Sequence, residues 1–235
     1  MGHAIVAKIL PGCDEVQEVS IIPRGQAAGY TLTRPERDDQ HITKTKLTDM
    51  ITMMLGGRAA EDLVIHDIST GASNDIHRAS DIARTMVTEW GMSSLGNIYL
   101  GGSSEVFLGK DFSKQHNYSE QIAGKIDEEV KKIIDDSYTK AIEILKNNKP
   151  IMDNMVRLLF EKETIYAEEV DMLFKGMSVE EIIEIIDKKT KERESRNDIS
   201  ELIIKESEIK KEENKEENHQ DNDKDDRKPR YIRNI

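Results

Sequence analysis

Apolar residues recur along this chain with two periods, and the changes of period mark its elements. Residues 3–10 carry Ile5, Val6, Ile9 and Leu10 on a helical repeat that Pro11-Gly12 stops. Residues 16–22 alternate loosely through Val16, Val19 and Ile21 and end at Pro23-Arg24-Gly25, which predicts a strand. Residues 28–33, with the strand formers Tyr30, Thr31 and Leu32, predict a second. Gly25 and Gly29 suggest that this second strand bends or is closely approached. Residues 34–39 read as a loop.

The longer patterns are helical. Leu47, Met50, Ile51, Met54, Leu55 and Ala59 recur at spacings of three and four, which places them on one face. Gly56-Gly57 interrupts that face at about 1 kcal/mol per glycine relative to alanine. The pair either lets a neighbouring helix come close or divides two helices. The pattern resumes over residues 60–65, and a loop over 67–73 follows. Residues 74–90 repeat Ile76, Ala79, Ile82, Ala83, Met86 and Val87 before Gly91 ends them. Residues 97–100 predict a short strand. The longest helix is expected over 119–147, with Ile126, Val130, Ile133, Ile134, Tyr138 and Leu145 on its apolar face. Pro150 suits the start of a helix over 151–161. Thr164 reads as the cap of a short helix reaching Phe174, and Ser178 with Glu181 forms a capping box for a helix over 179–186. The fold class predicted is mainly α with a small β element (α+β).

Composition then divides the chain. Charged residues make up 34% of it and hydrophobic ones 37%, polar for one globular unit, and the excess is local. Between Lys205 and Arg230 the only aliphatic residue is Ile209. Such a segment buries too little apolar surface to offset its ordering entropy. Residues 188–235 are therefore expected to be a charged, disordered tail after a domain over 1–187. The net charge of -12 argues against nonspecific nucleic-acid binding, which needs a positive surface, and the basic tip over 227–233 reads as solvated. Cys13 is the only cysteine, so no intrachain disulfide forms, as fits a reducing compartment. No run approaches the ~18 apolar residues of a membrane span, and residues 3–10, too short and without a basic leader, are not expected to be a signal peptide. Membrane attachment is expected only through sequence upstream of residue 1.

The search for chemistry is selective. No G-x-x-x-x-G-K-[ST] phosphate loop and no G-x-S-x-G elbow occurs. His3, at the start of an apolar helix, reads on its own as a partly buried, hydrogen-bonded side chain. Asp75 reads on its own as a first-turn acid that complements the helix dipole, with Ser73 as N-cap. His41, His66, His77, His116 and His219 lie in polar contexts and are assigned no metal.

Several short blocks stand in a set order and change this picture. They are Gly2-His3-Ala4, P-R-G-x-A-x-G-Y-T from Pro23 to Thr31, G-G-R-A-A-E from Gly56 to Glu61, S-T-G-A-S-N-D-I from Ser69 to Ile76, and Trp90-Gly91-Met92-Ser93. Together they resemble the peptidase domain of the FtsH family, the ATP-dependent zinc metalloproteases, over about residues 1–187. The resemblance implies a helical zinc-peptidase domain whose H-E-A-G-H-A motif is represented here by Gly2-His3-Ala4, with Met1 where an alanine would stand. It implies His3 and Asp75 as two of three Zn2+ ligands. The first His and the general-base Glu would precede residue 1, so no catalytic base is expected in the chain as written. Glu61 is implied to lie near the metal, behind a ligand His that it orients. On its own, Glu61 reads as a helix surface acid paired with Arg58. Gly29, Tyr30 and Thr31 are implied to form the strand along which an extended peptide lies.

The function so implied is that of a zinc metalloendopeptidase portion of a membrane-anchored homo-hexamer. The whole enzyme would degrade unfolded or membrane proteins at the cytoplasmic face of the cell membrane. ATP would enter only through an ATPase module absent from this chain. The chain is expected to be a soluble cytoplasmic fragment, inactive alone, that partners polypeptide substrates and no nucleic acid. The rival expectation is a noncatalytic oligomerisation or adaptor module that retains the fold, its long helix over 119–147 supporting ring assembly.

Overall fold

The computed structural model describes residues 1–25, 29–35, 41–101, 103–105, 114–116 and 118–192. The chain divides into two units, Met1–Val179 and Glu180–Ile235. In the second, residues 180–192 are helical. The tail expected to be disordered lies, from residue 193, outside the described residues, as do residue 28 of the second expected strand and residues 36–39 of the expected loop.

The first unit is a helical layer beside a small sheet. Helix α1 (Gly2–Ile9) is short because Leu10, which precedes Pro11, takes extended backbone angles. Helix α2 (Lys44–Ala60) starts at Thr43, whose hydroxyl accepts the Lys46 N–H at 3.2 Å. Its apolar stripe of Leu47, Ile51, Met54 and Leu55 packs with Ala79, Ala83 and Met86 of α3 (Ser73–Thr88). Val130, Ile133, Ile134 and Tyr138 of α4 (Glu120–Asn147) close over that cluster. Each fully buried Ile or Leu contributes about 1.5–3 kcal/mol. Such burial outweighs the glycine penalty, so α2 runs unbroken through Gly56-Gly57. A single π-helical turn (Glu61–Ile65) follows, and His66 leaves it at φ 57°.

Strand β1 (Glu15–Ser20) lies between β2 (Tyr30–Arg34) and β5 (Thr164–Tyr166), antiparallel to both. Ser20 faces Tyr30 and Val16 faces Thr33, with a bulge between Val16 and Glu18. Buried Val19 pairs with buried Ile165. β3 (Ser103–Glu105) and β4 (Lys114–His116) form a separate antiparallel pair. Helix α5 (Lys149–Lys162), with Pro150 in its first turn, and helix α6 (Ala167–Phe174) flank β5. The mainly α architecture with a small antiparallel sheet is as expected.

Two local expectations fail. Thr164 caps no helix. Residues 164–166 are a strand, because Ile165 gains full burial against β1, and α6 starts only after Tyr166, whose N–H the Glu169 carboxylate accepts at 2.8 Å. Residues 97–100 form no strand: Ile98 and Tyr99 are exposed, and the Leu100 N–H reaches back to the Thr88 carbonyl at 2.6 Å.

Candidate functional site

His3 lies in the first turn of α1, where α1 crosses α2. The crossing is close because it is made by glycines. A Cβ built on Gly2 would lie 2.1 Å from the Gly56 carbonyl oxygen. The imidazole therefore lies along α2, and its Nδ1 sits 2.8 Å from the Met53 carbonyl oxygen. A carbonyl only accepts, so Nδ1 carries the hydrogen and Nε2 of the neutral ring keeps its lone pair. Nε2 stands 3.4 Å from Oδ2 of Asp75, and each side chain is about one-third exposed. A lone pair facing a carboxylate oxygen at that distance is repulsive unless a proton or a cation lies between them.

Asp75 comes from the first turn of α3, where a carboxylate complements the helix dipole. Ser73 is not its N-cap, contrary to the expectation from sequence. The capping position falls on Ala72 without a side-chain bond, because a preceding 3-10 turn (Thr70–Ala72) delivers the chain already coiled. That turn is capped by Ser69, whose hydroxyl oxygen accepts the Gly71 N–H at 3.1 Å. Glu61 grips the same loop. Its carboxylate accepts the Ser69 hydroxyl at 2.6 Å and the Ser69 N–H at 3.3 Å, while Arg58 donates to the Ser69 carbonyl at 2.9 Å. The Ser69 hydrogen bonds hold the Glu61 carboxyl below the usual glutamate range. Arg58 and Glu61 also approach to 3.7 Å. Glu61 thus contacts the loop that leads to Asp75, and the ring of His3 donates its hydrogen bond to the Met53 carbonyl.

His3 and Asp75 open into a cleft of about 390 Å³. Met50, Met53 and Met54 of α2 form one wall, and Gly29, Tyr30, Thr31 and Thr33 form the other. Asp14 and Arg78 also line it. Among the described strands β2 is an edge of its sheet. A Cβ on Gly29 would come within 2.6 Å of the Ser20 carbonyl oxygen, so only glycine permits the chain to enter β2 there. Tyr30 is braced: its hydroxyl donates to Glu18, which raises its pKa, and the Arg24 guanidinium lies 4.4 Å from its ring centroid.

Sequence reasoning brought His3, Asp75, Gly29, Tyr30 and Thr31 to one cleft. It did not find the Met53 carbonyl, because a backbone acceptor carries no residue signature. It did not find Ser69 or Arg58 as holders of the Asp75 loop, although both stand inside the quoted blocks. Of the histidines left unassigned, His77 faces Asp81 at 3.0 Å on the surface of α3. Among the described residues no group of three or more His, Cys, Asp or Glu side chains could hold a metal ion. No described helix is long and apolar enough to cross a membrane.

The profile of Peptidase family M41 matches residues 1–173. The chain belongs to that family. This M41 chain is 50% identical over 181 residues to ATP-dependent zinc metalloprotease FtsH 1 of Thermoanaerobacter sp., covering 76% of the chain and 30% of the relative. It is 49% identical over 177 residues to ATP-dependent zinc metalloprotease FtsH 2 of Alkaliphilus metalliredigens, covering 74% and 26%. With the FtsH metalloprotease of Thermotoga maritima it shares 49% identity over 172 residues, covering 72% and 28%. The chain thus spans less than a third of the length of these relatives. The M41 match takes in His3, Glu61, Asp75, β2 and β5, so it covers the whole cleft. Residues 1–173 are thus sequence of the M41 family's peptidase domain.

Proposed function

We propose that this chain is the zinc metalloendopeptidase portion of an ATP-dependent, membrane-anchored protease that degrades unfolded or membrane proteins. On this reading residues 1–187 are the peptidase domain and residues 188–235 a charged tail. His3 and Asp75 are two protein ligands of one Zn2+. A third ligand and the general base would precede residue 1 in the family's H-E-x-x-H motif. The complete protein is a homo-hexamer with its peptidase on the cytoplasmic face, and ATP acts through a separate module.

The observation that carries this reading is the orientation of His3. Its Nδ1–H is committed to the Met53 carbonyl, so its free nitrogen faces a carboxylate oxygen at 3.4 Å. Two acceptors so placed suit a shared cation, and the carbonyl behind the ring is the usual partner of a metal-binding imidazole. The donor set is right for zinc: with Zn–N and Zn–O bonds of about 2.0–2.2 Å, two tetrahedral ligands stand about 3.3–3.5 Å apart. When bound, zinc supplies Lewis acidity toward a peptide carbonyl and toward water. The chain's own residues do the rest. Met53 fixes the ring tautomer, Glu61 and Arg58 hold the loop that carries Asp75, and the edge of β2 offers main-chain hydrogen bonds to an extended peptide over Gly29, Tyr30 and Thr31. Met50 and Met53 supply apolar surface on one wall of the cleft.

Zinc content and casein cleavage test the proposal. The 235-residue chain, with two ligands and no base, is expected to hold sub-stoichiometric zinc and to leave casein intact. A polypeptide carrying His-Glu-Ala in place of Met1 is expected to take up stoichiometric zinc through His3 and Asp75, and His3→Ala or Asp75→Ala in it should lose the metal. Tight zinc with turnover in the 235-residue chain, or no gain of zinc on adding His-Glu-Ala, would overturn the ligand assignment.

A further inference from the structure

Gly57 stands against the ring of His3, and nothing in the proposed ligand set requires a glycine there. A Cβ built on Gly57 would lie 2.5 Å from Nε2 of His3, 2.9 Å from Cε1 and 3.4 Å from Cδ2. The first two distances are shorter than any packed contact, and they fall on the nitrogen that faces Asp75. Gly56, its neighbour, does something different. A Cβ there would meet backbone, at 3.0 Å from the Gly2 oxygen and 3.2 Å from the His3 nitrogen. The first glycine lets two helices touch, and the second clears one face of one side chain.

The ring has no cheap way to yield. Sliding α1 away is opposed by Ala4, Ile5 and Val6, all fully buried. Rotating the ring breaks either the 2.8 Å bond to Met53 or the 3.4 Å approach to Asp75. Met53 and Gly57 are four positions apart, one helical turn, so they lie above one another on a single face of α2. That face supplies the acceptor which fixes Nδ1 and the gap which frees Nε2.

We infer that Gly57 is a positioning residue for His3, and that the turn from Met53 to Gly57 is a cradle that holds the ring with Nε2 unobstructed toward Asp75. Its purpose rests on the metal reading above, but the cradle itself is testable without metal. The 235-residue chain is prepared with Gly57→Ala, with His3→Ala, with both, and with Gly124→Ala as a control in open space on α4. Nitrogen-15 spectra of the imidazoles are recorded at mildly alkaline pH, and thermal melts are recorded for each variant.

In the unsubstituted chain His3 is expected to hold a slowly exchanging proton on Nδ1, bonded to the Met53 carbonyl. Gly57→Ala is expected to speed that exchange and lower the Tm, whereas Gly124→Ala leaves both unchanged or raises the Tm slightly. In the His3→Ala background Gly57→Ala should no longer lower the Tm, since the methyl then has room. This comparison decides the matter even if Gly57→Ala alone fails to fold. A freely exchanging Nδ1 proton in the unsubstituted chain, an unchanged His3 spectrum in folded Gly57→Ala, or an equal Tm loss with and without the ring would overturn the cradle. In the polypeptide with His-Glu-Ala in place of Met1, Gly57→Ala should weaken zinc binding about 10- to 100-fold, the usual effect of losing a ligand's support. Spectra that behave as expected while that polypeptide takes up no zinc would sink the metal reading and leave the cradle standing.

Discussion

On the His3 side of the cleft, α1 and α2 meet backbone to backbone through Gly2 and Gly56, among fully buried apolar side chains. On the Asp75 side, a π-helical turn and a capped 3-10 turn are joined by Glu61, Ser69 and Arg58 in a half-open, polar setting. Two side chains 3.4 Å apart are therefore held by different forces. Close packing does not respond to salt or pH and tolerates almost no added volume. Hydrogen bonds among partly exposed groups respond to both, and each is worth only about 0.5–1.5 kcal/mol. The site combines one rigid arm with one adjustable arm.

Substitution separates the arms, beginning with the largest effect. Gly56→Val drives branched carbons into the backbone of α1, and urea denaturation should show a loss of about 3 kcal/mol or more. A loss under about 1 kcal/mol would mean that the crossing is not rigid. Next comes Asp49→Ala. The buried Asp49 carboxylate accepts the Gly12 N–H at 3.1 Å and Lys140 Nζ at 2.8 Å, tying the end of α1 to α4. The expected loss is about 2 kcal/mol, below that of a fully buried pair because Lys140 remains half-solvated. Burial first, and Asp49 next, push the Cys13 thiol up to about 12. Asp49→Ala should therefore also speed Cys13 alkylation, and an unchanged rate would dissociate the two.

On the adjustable arm, Ser69→Ala should cost about 1 kcal/mol near neutral pH. It should also remove an acid-side slope. A lowered Glu61 pKa gives stability that is present above the ordinary glutamate value of about 4.3 and lost as the pH falls through the lower folded value. Denaturation midpoints of Ser69→Ala from neutral pH down through that range should fall less steeply than those of the unsubstituted chain. Smallest is Tyr138→Phe. Its hydroxyl donates to Asp62 at 2.9 Å, beside the π-helical turn, and burial with Asp62 pushes the phenol up to about 12. Its contribution is whole below the ordinary tyrosine value of about 10 and lost as the pH rises through about 12. Tyr138→Phe should change stability at neutral pH by less than about 1 kcal/mol and flatten the alkaline loss.

Periodicity made the helices legible, because Leu47, Ile51, Leu55 and their partners on α3 and α4 repeat often enough to overrule two glycines. It failed on short segments. Three residues around Ile165 are too few to display alternation, and Ile98-Tyr99-Leu100 looks like a strand but pairs with none among the described residues. His3 and Asp75 were visible only through their blocks, since each also has an ordinary local explanation. The Met53 carbonyl and the clearance at Gly57 were invisible for a physical reason: one is backbone, and the other is an absence of atoms that matters only once the ring lies beside it.

The central place of β1 has a consequence for how the domain assembles. Its two neighbours come from opposite ends of the unit, and the Ser20 and Thr164 hydroxyls, 144 positions apart, meet at 2.8 Å. Closing so long a loop is entropically slow compared with winding and pairing the intervening helices. The helices should dock first, and β1 and β2 should settle into register only after residue 166 has left the ribosome. A chain ending before Thr164 would keep much of its helical signal while losing the support behind β2.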